Sequence, residues 1–436
     1  MSRLRNVTTA LAAVLLTAPA AMAYDIQMPG NDTKLSVYGF VYAIDEFYTT
    51  GASGTNTSYL NPGQGNITTQ TASGPNNTVF SVQPSRYGFT STTPTAAYGN
   101  IFTKIEFDMN NTTGSNAFHL RHAYASVGNF LMGLTYTNWI DLDALADNIE
   151  WQGPVGTPGF DTPRRAQIRY TLPIDKNNKV AFSAEVNKGL DGDTYSKAIV
   201  TSYTTNPTTG AVTQTTAVPA GIQNGKVPAF VASYTYSDSW GHIGVRGIAI
   251  DHQTFIPATA GVGAASWNKW TGGGLLSGDV KFGKDDLIFS IYDGTGLADW
   301  GYGAQSAVFT SGATAANGYN TSANQQVQTY QNVGWTVGYT HVFNEKWRAN
   351  LIQSGVVFKS NDQIATTNSA TGTDVKSQLN YYANVYYSYT KNAQIGVEYF
   401  YDVAKTFGQN TVLKSDGTST NSAKSGQLEL LLQVKF

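Results

Sequence analysis

Cysteine is absent from the 436-residue sequence, so no disulfide framework holds the chain together. Charged residues are scarce, at 13% of the chain, and 27 Lys and Arg are balanced by 29 Asp and Glu. This balance excludes the basic surface that nucleic-acid binding requires. No apolar run approaches the ~20 residues of a membrane-spanning helix, which excludes a helical membrane protein. Aromatic residues, by contrast, make up 12% of the chain, and low charge with many aromatics is typical of a lipid-facing β-barrel.

Residues 1–23 have the three parts of a secretory signal peptide. Two arginines precede an apolar run at residues 10–16, and residues 21–23 (Ala-Met-Ala) form a small-x-small cleavage site. We expect the mature chain to begin at Tyr24, with a short periplasmic segment at residues 24–34 before the first strand. An N-terminal membrane anchor is the alternative, but the apolar run is too short for it.

The rest of the chain is dominated by segments of about ten residues that alternate apolar and polar side chains and end in a turn. This pattern is the sequence signature of a transmembrane antiparallel β-barrel. It predicts an all-β fold whose barrel occupies residues 35–436. Sixteen strands are predicted, at residues 35–48, 84–93, 98–110, 117–128, 130–138, 165–175, 178–189, 227–238, 241–255, 265–283, 285–296, 326–344, 347–360, 376–390, 393–407 and 423–436.

Short and long connections alternate between these segments. The short ones are rich in residues that accept tight-turn backbone angles, and we expect them in the periplasm. The long ones, at residues 49–83, 190–226, 297–325 and 408–422, are rich in Thr, Asn, Gly and Ser and predict extracellular loops. An even number of strands then places both termini in the periplasm of a bacterium.

The last strand favours a membrane barrel over a soluble β-sandwich or a β-helix, which would bury the apolar face. Its apolar face consists of Leu428, Leu430, Leu432, Val434 and the terminal Phe436, and its polar face of Gln427, Glu429, Gln433 and Lys435. Leu431 is the one exception on the polar face. A terminal aromatic that closes an alternating strand predicts recognition by the outer-membrane barrel assembly machinery, with outer-membrane lipids around the barrel.

A segment of different composition follows the fifth predicted strand. Residues 139–164 begin with acidic groups and large apolar side chains and lack a Thr/Ser run. We expect this segment to be a constriction loop that folds into the barrel, because about sixteen strands enclose a channel too wide for wall side chains to fill. Its acidic residues are Asp141, Asp143, Asp147 and Glu150, and its predicted wall anchors are Trp139, Leu142, Leu145 and Trp151.

Side-chain parity predicts the opposite wall of the lumen. Successive side chains of a strand point to opposite faces, so polar residues next to lipid-facing apolar ones face inward. The basic residues placed in the lumen in this way are Arg86, Lys104, Arg121, Arg165 and Arg169. The same parity places Glu106, Asp108, His119 and Gln167 inside and Leu120, Tyr124, Ile168 and Tyr170 outside, with Arg246 and Arg348 as further inward candidates.

Basic side chains that face an acidic loop across a narrow aqueous gap create a transverse field. Two unit charges ~4 Å apart interact by ~1 kcal/mol in bulk water and ~4 kcal/mol at an effective dielectric of ~20. Arginine suits carboxylates because its planar guanidinium donates two parallel hydrogen bonds. We therefore expect passive diffusion of small polar solutes with a preference for small anions. The alternative, that these arginines only brace the loop, stays open, and both roles can coexist.

Several segments resemble the DcaP-like porins. The resemblance rests on residues 120–124 (LRHAY), 133–137 (GLTYT), 141–145 (DLDAL), 151–154 (WQGP) and 165–170 (RAQIRY), with residues 37–40 (VYGF), 86–89 (RYGF) and 93–94 (TP). It covers roughly residues 35–190, and the remainder is similar only as barrel architecture. The resemblance implies a trimer of sixteen-stranded barrels that favours small anions such as dicarboxylates, with arginines on the channel wall. One departure is that residues 24–32 are too short for the N-terminal helical segment common in that family.

Other functions find less support in the sequence. The five histidines, His119, His122, His242, His252 and His341, form no H-E-x-x-H pattern, and no G-x-S-x-G is present, so an enzyme is not expected. His119 and His122 lie three positions apart, which predicts opposite faces of a strand and no shared metal. The acidic loop matches no EF-hand spacing, so no metal or cofactor is predicted. A loop-mediated adhesin or receptor, or a structural barrel without an open pore, remains an alternative.

Overall fold

The computed structural model describes residues 24–27, 32–50, 78–97, 99–109, 118–149, 163–187, 199–205, 212–217, 221–224, 227–256, 265–301, 308–311, 326–359, 375–407, 412–413 and 419–436. The predicted signal peptide lies outside these residues. Within the described ranges, no helix is long and apolar enough to cross a membrane.

Sixteen strands form one antiparallel sheet that closes on itself. They are β1 (Lys34–Thr50), β2 (Arg86–Thr95), β3 (Gly99–Asp108), β4 (His119–Val127), β5 (Phe130–Tyr136), β6 (Arg164–Pro173), β7 (Asn178–Glu185), β8 (Ala229–Asp238), β9 (Gly241–Ile256), β10 (Ala265–Phe282), β11 (Asp285–Thr295), β12 (Gln331–Val342), β13 (Trp347–Lys359), β14 (Val375–Ser388), β15 (Ala393–Thr406) and β16 (Ser422–Lys435).

Strand β1 closes the barrel because both of its edges are paired. Residues 34–40 pair with β2, and residues 40–50 pair with β16. Closure leaves no open sheet edge in the hydrocarbon layer, where an unpaired backbone group costs several kcal/mol. The predicted sixteen-stranded barrel is confirmed.

Two short strands extend the pairing of β1 where its neighbours end. Tyr24–Gln27 pairs with residues 34–37, which precede the part of β1 that pairs with β16. Thr78–Ser81 pairs with residues 44–47, which follow the part of β1 that pairs with β2. The two short strands therefore pair with parts of β1 that β16 and β2 leave open.

The remaining short elements lie outside the barrel wall or extend it. Gly221–Asn224 pairs with β9, and three two-stranded ribbons are formed by Ile199–Thr205 with Val212–Ala217, Val308–Ser311 with Gln326–Thr329, and Val412–Leu413 with Ser419–Thr420. The predicted strand at 326–344 is therefore wrong as one element, because its first residues pair within a ribbon. A 3₁₀ helix spans Leu142–Ala144 and a short helix, α1, spans Ala298–Gly301.

Alternation along the strands explains why the sequence forms a barrel. On β14, Tyr381 and Val385 are 46% and 40% exposed, whereas Asn380 and Asn384 are 0% and 4% exposed. Apolar side chains thus stand on the outer face and polar ones on the inner face, which is the arrangement that a bilayer outside and a lumen inside require. Tight turns close the strand pairs, and Gly128 and Gly283 supply the positive φ that two of them need (55° and 66°).

Candidate functional site

The constriction loop enters the barrel from the end of β5 and is described through residue 149. Its first anchor is apolar. Trp139 is 0% exposed, and its ring centroid lies 6.4 Å from that of Tyr292 on β11. Ile140 belongs to the same buried cluster as Ile248 and Leu275, which are inward-facing residues of β9 and β10. The inner wall therefore interrupts its polar pattern where the loop packs against it.

Asp141 forms the second anchor, in a polar notch between β9 and β10. One carboxylate oxygen, Oδ2, lies 2.9 Å from His242 Nε2 and accepts from Arg246 Nη1 at 3.0 Å and Ser277 Oγ at 2.6 Å. The pKa of Asp141 lies well below its usual range, because these bonds and the charge of Arg246 outweigh the opposing effect of burial. Gly244 makes room for the notch, since a Cβ there would lie 2.4 Å from Arg246 Nη1 and 2.9 Å from Asp141 Oδ2.

Asp147 forms the third anchor, on β13 and β14. Arg348 donates from Nε to Oδ2 at 2.6 Å and from Nη2 to Oδ1 at 3.3 Å, a two-pronged ion pair. Asn350 donates to Oδ2 at 3.2 Å, and Asn384 donates to the Asp147 backbone oxygen at 2.8 Å. The wall therefore binds both the side chain and the backbone oxygen of Asp147.

Ile149 forms the fourth anchor, near the seam of the barrel. Its backbone N–H donates to Glu398 Oε2 at 3.0 Å, and its side chain packs in a buried cluster that includes Tyr386 and Leu431. A Cβ on Gly396 would lie 2.5 Å from Ile149 Cδ1, so the absence of a side chain on Gly396 makes this seat. The exceptional Leu431 on the polar face of the last strand is thereby explained, because it contacts the loop and not water.

These four anchors trace the described part of the loop along the inner wall from β7 to β16 and β1. At the start of this path, Asn138 N–H donates to Glu185 on β7 at 2.8 Å and Ser233 on β8 donates to Asn138 at 2.9 Å. The inner face of β2–β6 is the wall on the other side of the lumen. This is the wall to which the parity argument assigned the basic residues.

Three of the predicted basic residues are partly exposed on that wall. Arg86 lies with its guanidinium 5.4 Å from the ring centroid of Phe40, and Lys104 Nζ lies 5.3 Å from that of Tyr38. Lys104 also pairs with Glu106 at 3.1 Å. Arg169 donates to Gln167 at 2.8 Å and to the backbone oxygen of Tyr136 at 2.5 Å. These contacts engage part of each charged group, and each of the three residues remains partly exposed.

The other two basic residues are buried and brace the wall. Arg121 is 3% exposed, pairs with Glu106 at 3.2 Å and with Asp108, and donates to the Tyr136 hydroxyl at 3.3 Å. Arg165 is 1% exposed, and its guanidinium stacks 3.7 Å from the ring centroid of Trp300 on α1. These contacts join Arg121 to neighbouring wall strands and Arg165 to α1, so the two residues brace the barrel itself, which differs from the alternative that they brace the loop.

A β-bulge at Arg121 corrects the predicted orientation of Tyr124. The pairing of β3 with β4 shifts between Glu106↔His122 and Phe107↔Leu120. Arg121 is the extra residue, so every later position of β4 changes face. Tyr124 pairs with the inward-facing Lys104 and was wrongly predicted to face lipid.

The same bulge brings both histidines of β4 to the inner face. His119 Nδ1 lies 2.9 Å from Asp108 Oδ1, and His122 Nδ1 lies 3.1 Å from Thr135 Oγ1. The prediction that they lie on opposite faces is therefore wrong. Across the described residues, no group of three or more His, Asp or Glu is arranged to hold a metal ion.

The acidic residues of the loop differ in their surroundings. Asp141 and Asp147 are engaged by the wall, whereas Asp143 is exposed. Leu142 was wrongly predicted to be a wall anchor, since it is 44% exposed on the 3₁₀ turn, while Leu145 packs against the buried cluster of Trp139. Glu150 and Trp151, and the loop from 150 to 162, lie outside the described residues.

The loop's partners on the wall were mostly missed by sequence reasoning. His242, Ser277 and Asn384 are inward-facing polar residues like many others, and no local signal distinguishes them. Gly244 and Gly396 sit at inward positions of alternating strands where a side chain is expected. A glycine inside a strand can mark the close approach of another segment, and that signal was available.

Solved structures share this architecture. The outer membrane channel DcaP of Acinetobacter baumannii matches with a TM-score of 0.69 at 19% identity, covering 94% of this chain and 99% of that chain. OmpT of Vibrio cholerae in its trimer form matches with a TM-score of 0.52 at 12% identity, covering 93% and 99%. OmpF of Salmonella typhi in complex with daunomycin matches with a TM-score of 0.52 at 11% identity, covering 95% and 100%. At these identities the likeness establishes the fold.

The closed barrel and its inward-folded loop have the architecture of the porin-type channels of the bacterial outer membrane. Residues 6–209 match the family model described as DcaP outer membrane protein, so the resemblance to DcaP-like porins predicted from the sequence is confirmed. No curated protein sequence matches significantly.

Proposed function

We propose that the barrel mediates passive diffusion of small polar solutes and favours small anions such as dicarboxylates. The observation that carries the proposal is the separation of the two walls. The loop is held along β7–β16 and β1, and its acidic groups Asp141 and Asp147 are already engaged by basic partners there. Basic groups on β2–β6 therefore face the lumen without competition from those two carboxylates.

Within the proposal, the basic residues divide into two roles. Arg86, Lys104 and Arg169 keep part of their side chains accessible and attract a passing carboxylate. Arg121 and Arg165 are buried and hold the wall. Several cations that already have protein partners suit a channel better than one cation without partners, because a solute must bind weakly enough to leave.

The acidic groups complete the proposed constriction. Asp143 stands on the exposed 3₁₀ turn and repels anions from the loop side, so the field directs carboxylates toward β2–β6. Glu150 belongs to the same proposed set by its place in the sequence. We include no cofactor and no catalytic group in the proposal.

The assembly and targeting belong to the same proposal. OmpT, which shares the fold, has been solved in a trimer form, and we propose a homotrimer here. We also propose that residues 1–23 are the export signal and that Phe436 is read by the barrel assembly machinery. Both termini then lie in the periplasm, on the side of the short turns.

The test is single-channel recording in planar bilayers under a salt gradient, with the wild type and Arg169→Gln. We expect anion preference in the wild type and a decrease in the anion-to-cation permeability ratio of about fivefold in the variant, equivalent to ~1 kcal/mol. Succinate added to the wild type should produce brief blockages. The matched control, Lys391→Gln, removes one positive charge from an exposed residue of a periplasmic turn.

Each outcome decides a separate part of the proposal. A wild-type channel without anion preference would overturn the assignment of the basic wall while keeping the pore. The absence of any conductance would overturn the pore itself. Equal permeability ratios in the wild type and Arg169→Gln would reassign Arg169 to bracing.

A further inference from the structure

Four lysines stand at the extracellular ends of four consecutive strands. Lys359 ends β13, Lys376 is the second residue of β14, Lys405 is the last but one of β15, and Lys424 is the third of β16. All four side chains are exposed. We call them the rim lysines.

The rim lysines lie on the outer face of the barrel and not in the lumen. Each follows or precedes a side chain that is buried on the inner face. These inward neighbours are Phe358, Val375, Ala404, Thr406, Ala423 and Ser425, all between 0% and 1% exposed. Because side chains alternate along a strand, the exposed Lys359, Lys405 and Lys424 point outward. Lys376 is the extra residue of a β-bulge between the buried Val375 and Ser377, and Ser377 pairs with the outward Lys405. The exposure of Lys376 places it with Ser377 on the outer face.

The strand register brings the rim lysines close together. Lys405 pairs with Ser377, the residue after Lys376, and Lys424 pairs with Val403, two residues before Lys405. Lys359 lies two residues beyond the pairing of Val357 with Ser377. Adjacent strands are ~4.8 Å apart, so the four lysines span roughly 15 Å of the barrel perimeter.

The depth of the rim lysines in the membrane follows from the aromatic residues that lie nearer the middle of the same strands. Tyr381 and Tyr399 are 46% and 45% exposed on the outer face, and Tyr381 pairs with Tyr401. Exposed tyrosines on a barrel mark the boundary between hydrocarbon and headgroups. Lys405 lies four residues beyond Tyr401, which is ~13 Å along the strand and ~10 Å along the membrane normal after tilt. The rim lysines therefore sit in the outer headgroup layer.

The patch is local and does not follow from a general excess of basic residues. The whole chain has a formal charge of −2. Two strands before β13, the extracellular end of β11 presents Asp293, which is exposed and accepts from Gln331 at 3.1 Å. Among the strand ends that the structure describes, the four lysines thus lie together on the outer rim of β13–β16.

We propose that the rim lysines bind the phosphate groups of lipid A, the anchor of the lipopolysaccharide that forms the outer leaflet of this membrane. Lysine suits this ligand because its long apolar stem can lie along the barrel while its ammonium reaches a phosphate. Clustered basic residues at a membrane surface each contribute ~1 kcal/mol to binding anionic headgroups. The tyrosines below contact the acyl chains.

The test is a titration of purified protein in neutral detergent with fluorescent bisphosphorylated lipid A, followed by fluorescence anisotropy. The quadruple variant K359Q/K376Q/K405Q/K424Q should bind about tenfold or more weakly than the wild type. The matched control, K176Q/K284Q/K346Q/K391Q, removes four exposed lysines from the short turns at the other end of the barrel and should bind like the wild type. Lipid A stripped of its phosphates should bind both variants and the wild type equally.

The source of the phosphate and the fold of the variants are checked in parallel. Inorganic phosphate at matched concentration should not displace lipid A, because the acyl chains contribute to binding. Displacement would assign the patch to small phosphates.

Heat-modifiable migration in SDS gels reports whether each variant forms the folded barrel. If the quadruple variant does not fold, K359Q/K376Q and K405Q/K424Q replace it. Equal binding by a folded rim variant and the control would overturn the proposal, and would leave the proposed pore function untouched.

Discussion

A position without a side chain can be as specific as one with a functional group. Gly244 lies beneath the contact between Asp141 and Arg246, and Gly396 lies beneath Ile149. Both glycines face inward from strands whose other inward residues carry side chains. The loop is therefore held partly by wall positions that leave room for it, and adding one carbon there displaces a charge pair or an anchor side chain.

Gly244→Ala should loosen the loop while leaving the barrel folded. The new Cβ would lie 2.4 Å from Arg246 Nη1, which must move away from Asp141. Overpacking of this kind costs about 1–3 kcal/mol, and we expect larger current fluctuations in the open channel. Gly247→Ala on the same strand is the control, because a Cβ on Gly247 meets no atom within 4 Å. Equally quiet currents in the two variants would contradict the assigned seat.

At the scale of the element, the constriction loop has anchors of different chemistry at its two described ends. Asp141 is held in a buried polar notch, and Asp147 is held by a partly exposed ion pair with Arg348. A buried carboxylate with three partners is harder to release than a pair that water can reach. The two ends should therefore respond separately to substitution.

Asp147→Asn should release the second half of the loop and spare the first. Loss of the two-pronged ion pair with Arg348 costs about 1–2 kcal/mol, which raises the local opening constant about 5–30-fold. Hydrogen exchange followed by mass spectrometry should show faster exchange at residues 145–149 and unchanged exchange at 139–143. Asp143→Asn, which changes an exposed carboxylate of the same loop, is the control. Faster exchange of both halves would mean that the loop opens as one unit.

Some features of the strands and the loop are predictable from the sequence, and others are not. Strand positions and the inward loop were predictable, because period-two alternation and an acidic, aromatic segment are local signals. The bulge at Arg121 was not, since it depends on pairing between β3 and β4, and it reversed the orientation of Tyr124. Parity could not separate the partly exposed Arg169 from the buried Arg121, because burial depends on neighbouring strands.

At the scale of the whole molecule, the barrel is closed at a seam that ends in the terminal residue. Phe436 exchanges backbone hydrogen bonds with Gly39 at 3.1 and 2.9 Å, and its ring lies 6.2 Å from that of Tyr87. A Cβ on Gly39 would lie 2.5 Å from both the Phe436 ring and the backbone oxygen of Arg86. The first, second and last strands therefore meet at one glycine.

Gly39→Ala should lower the temperature at which the folded barrel is lost. The clash with a backbone atom cannot be relieved by a side-chain rotation, so we expect a cost of about 1–3 kcal/mol. The measurement is the temperature at which the compact band disappears in SDS gels. Met132→Ala, which shortens a side chain that is 66% exposed on the outer face, should leave this temperature nearly unchanged. A Gly39→Ala barrel as heat-resistant as the wild type would contradict the role of the seam.

The separation of the two inner walls has a consequence for how such channels can diverge. Residues that hold the loop lie on β7–β16 and β1, while the accessible cations lie on β2, β3 and β6. Substitutions on the second set can alter which solutes pass without disturbing the scaffold of the constriction, since distant sites contribute independently. Relatives with different solutes can thus keep one conserved half of the lumen and vary the other.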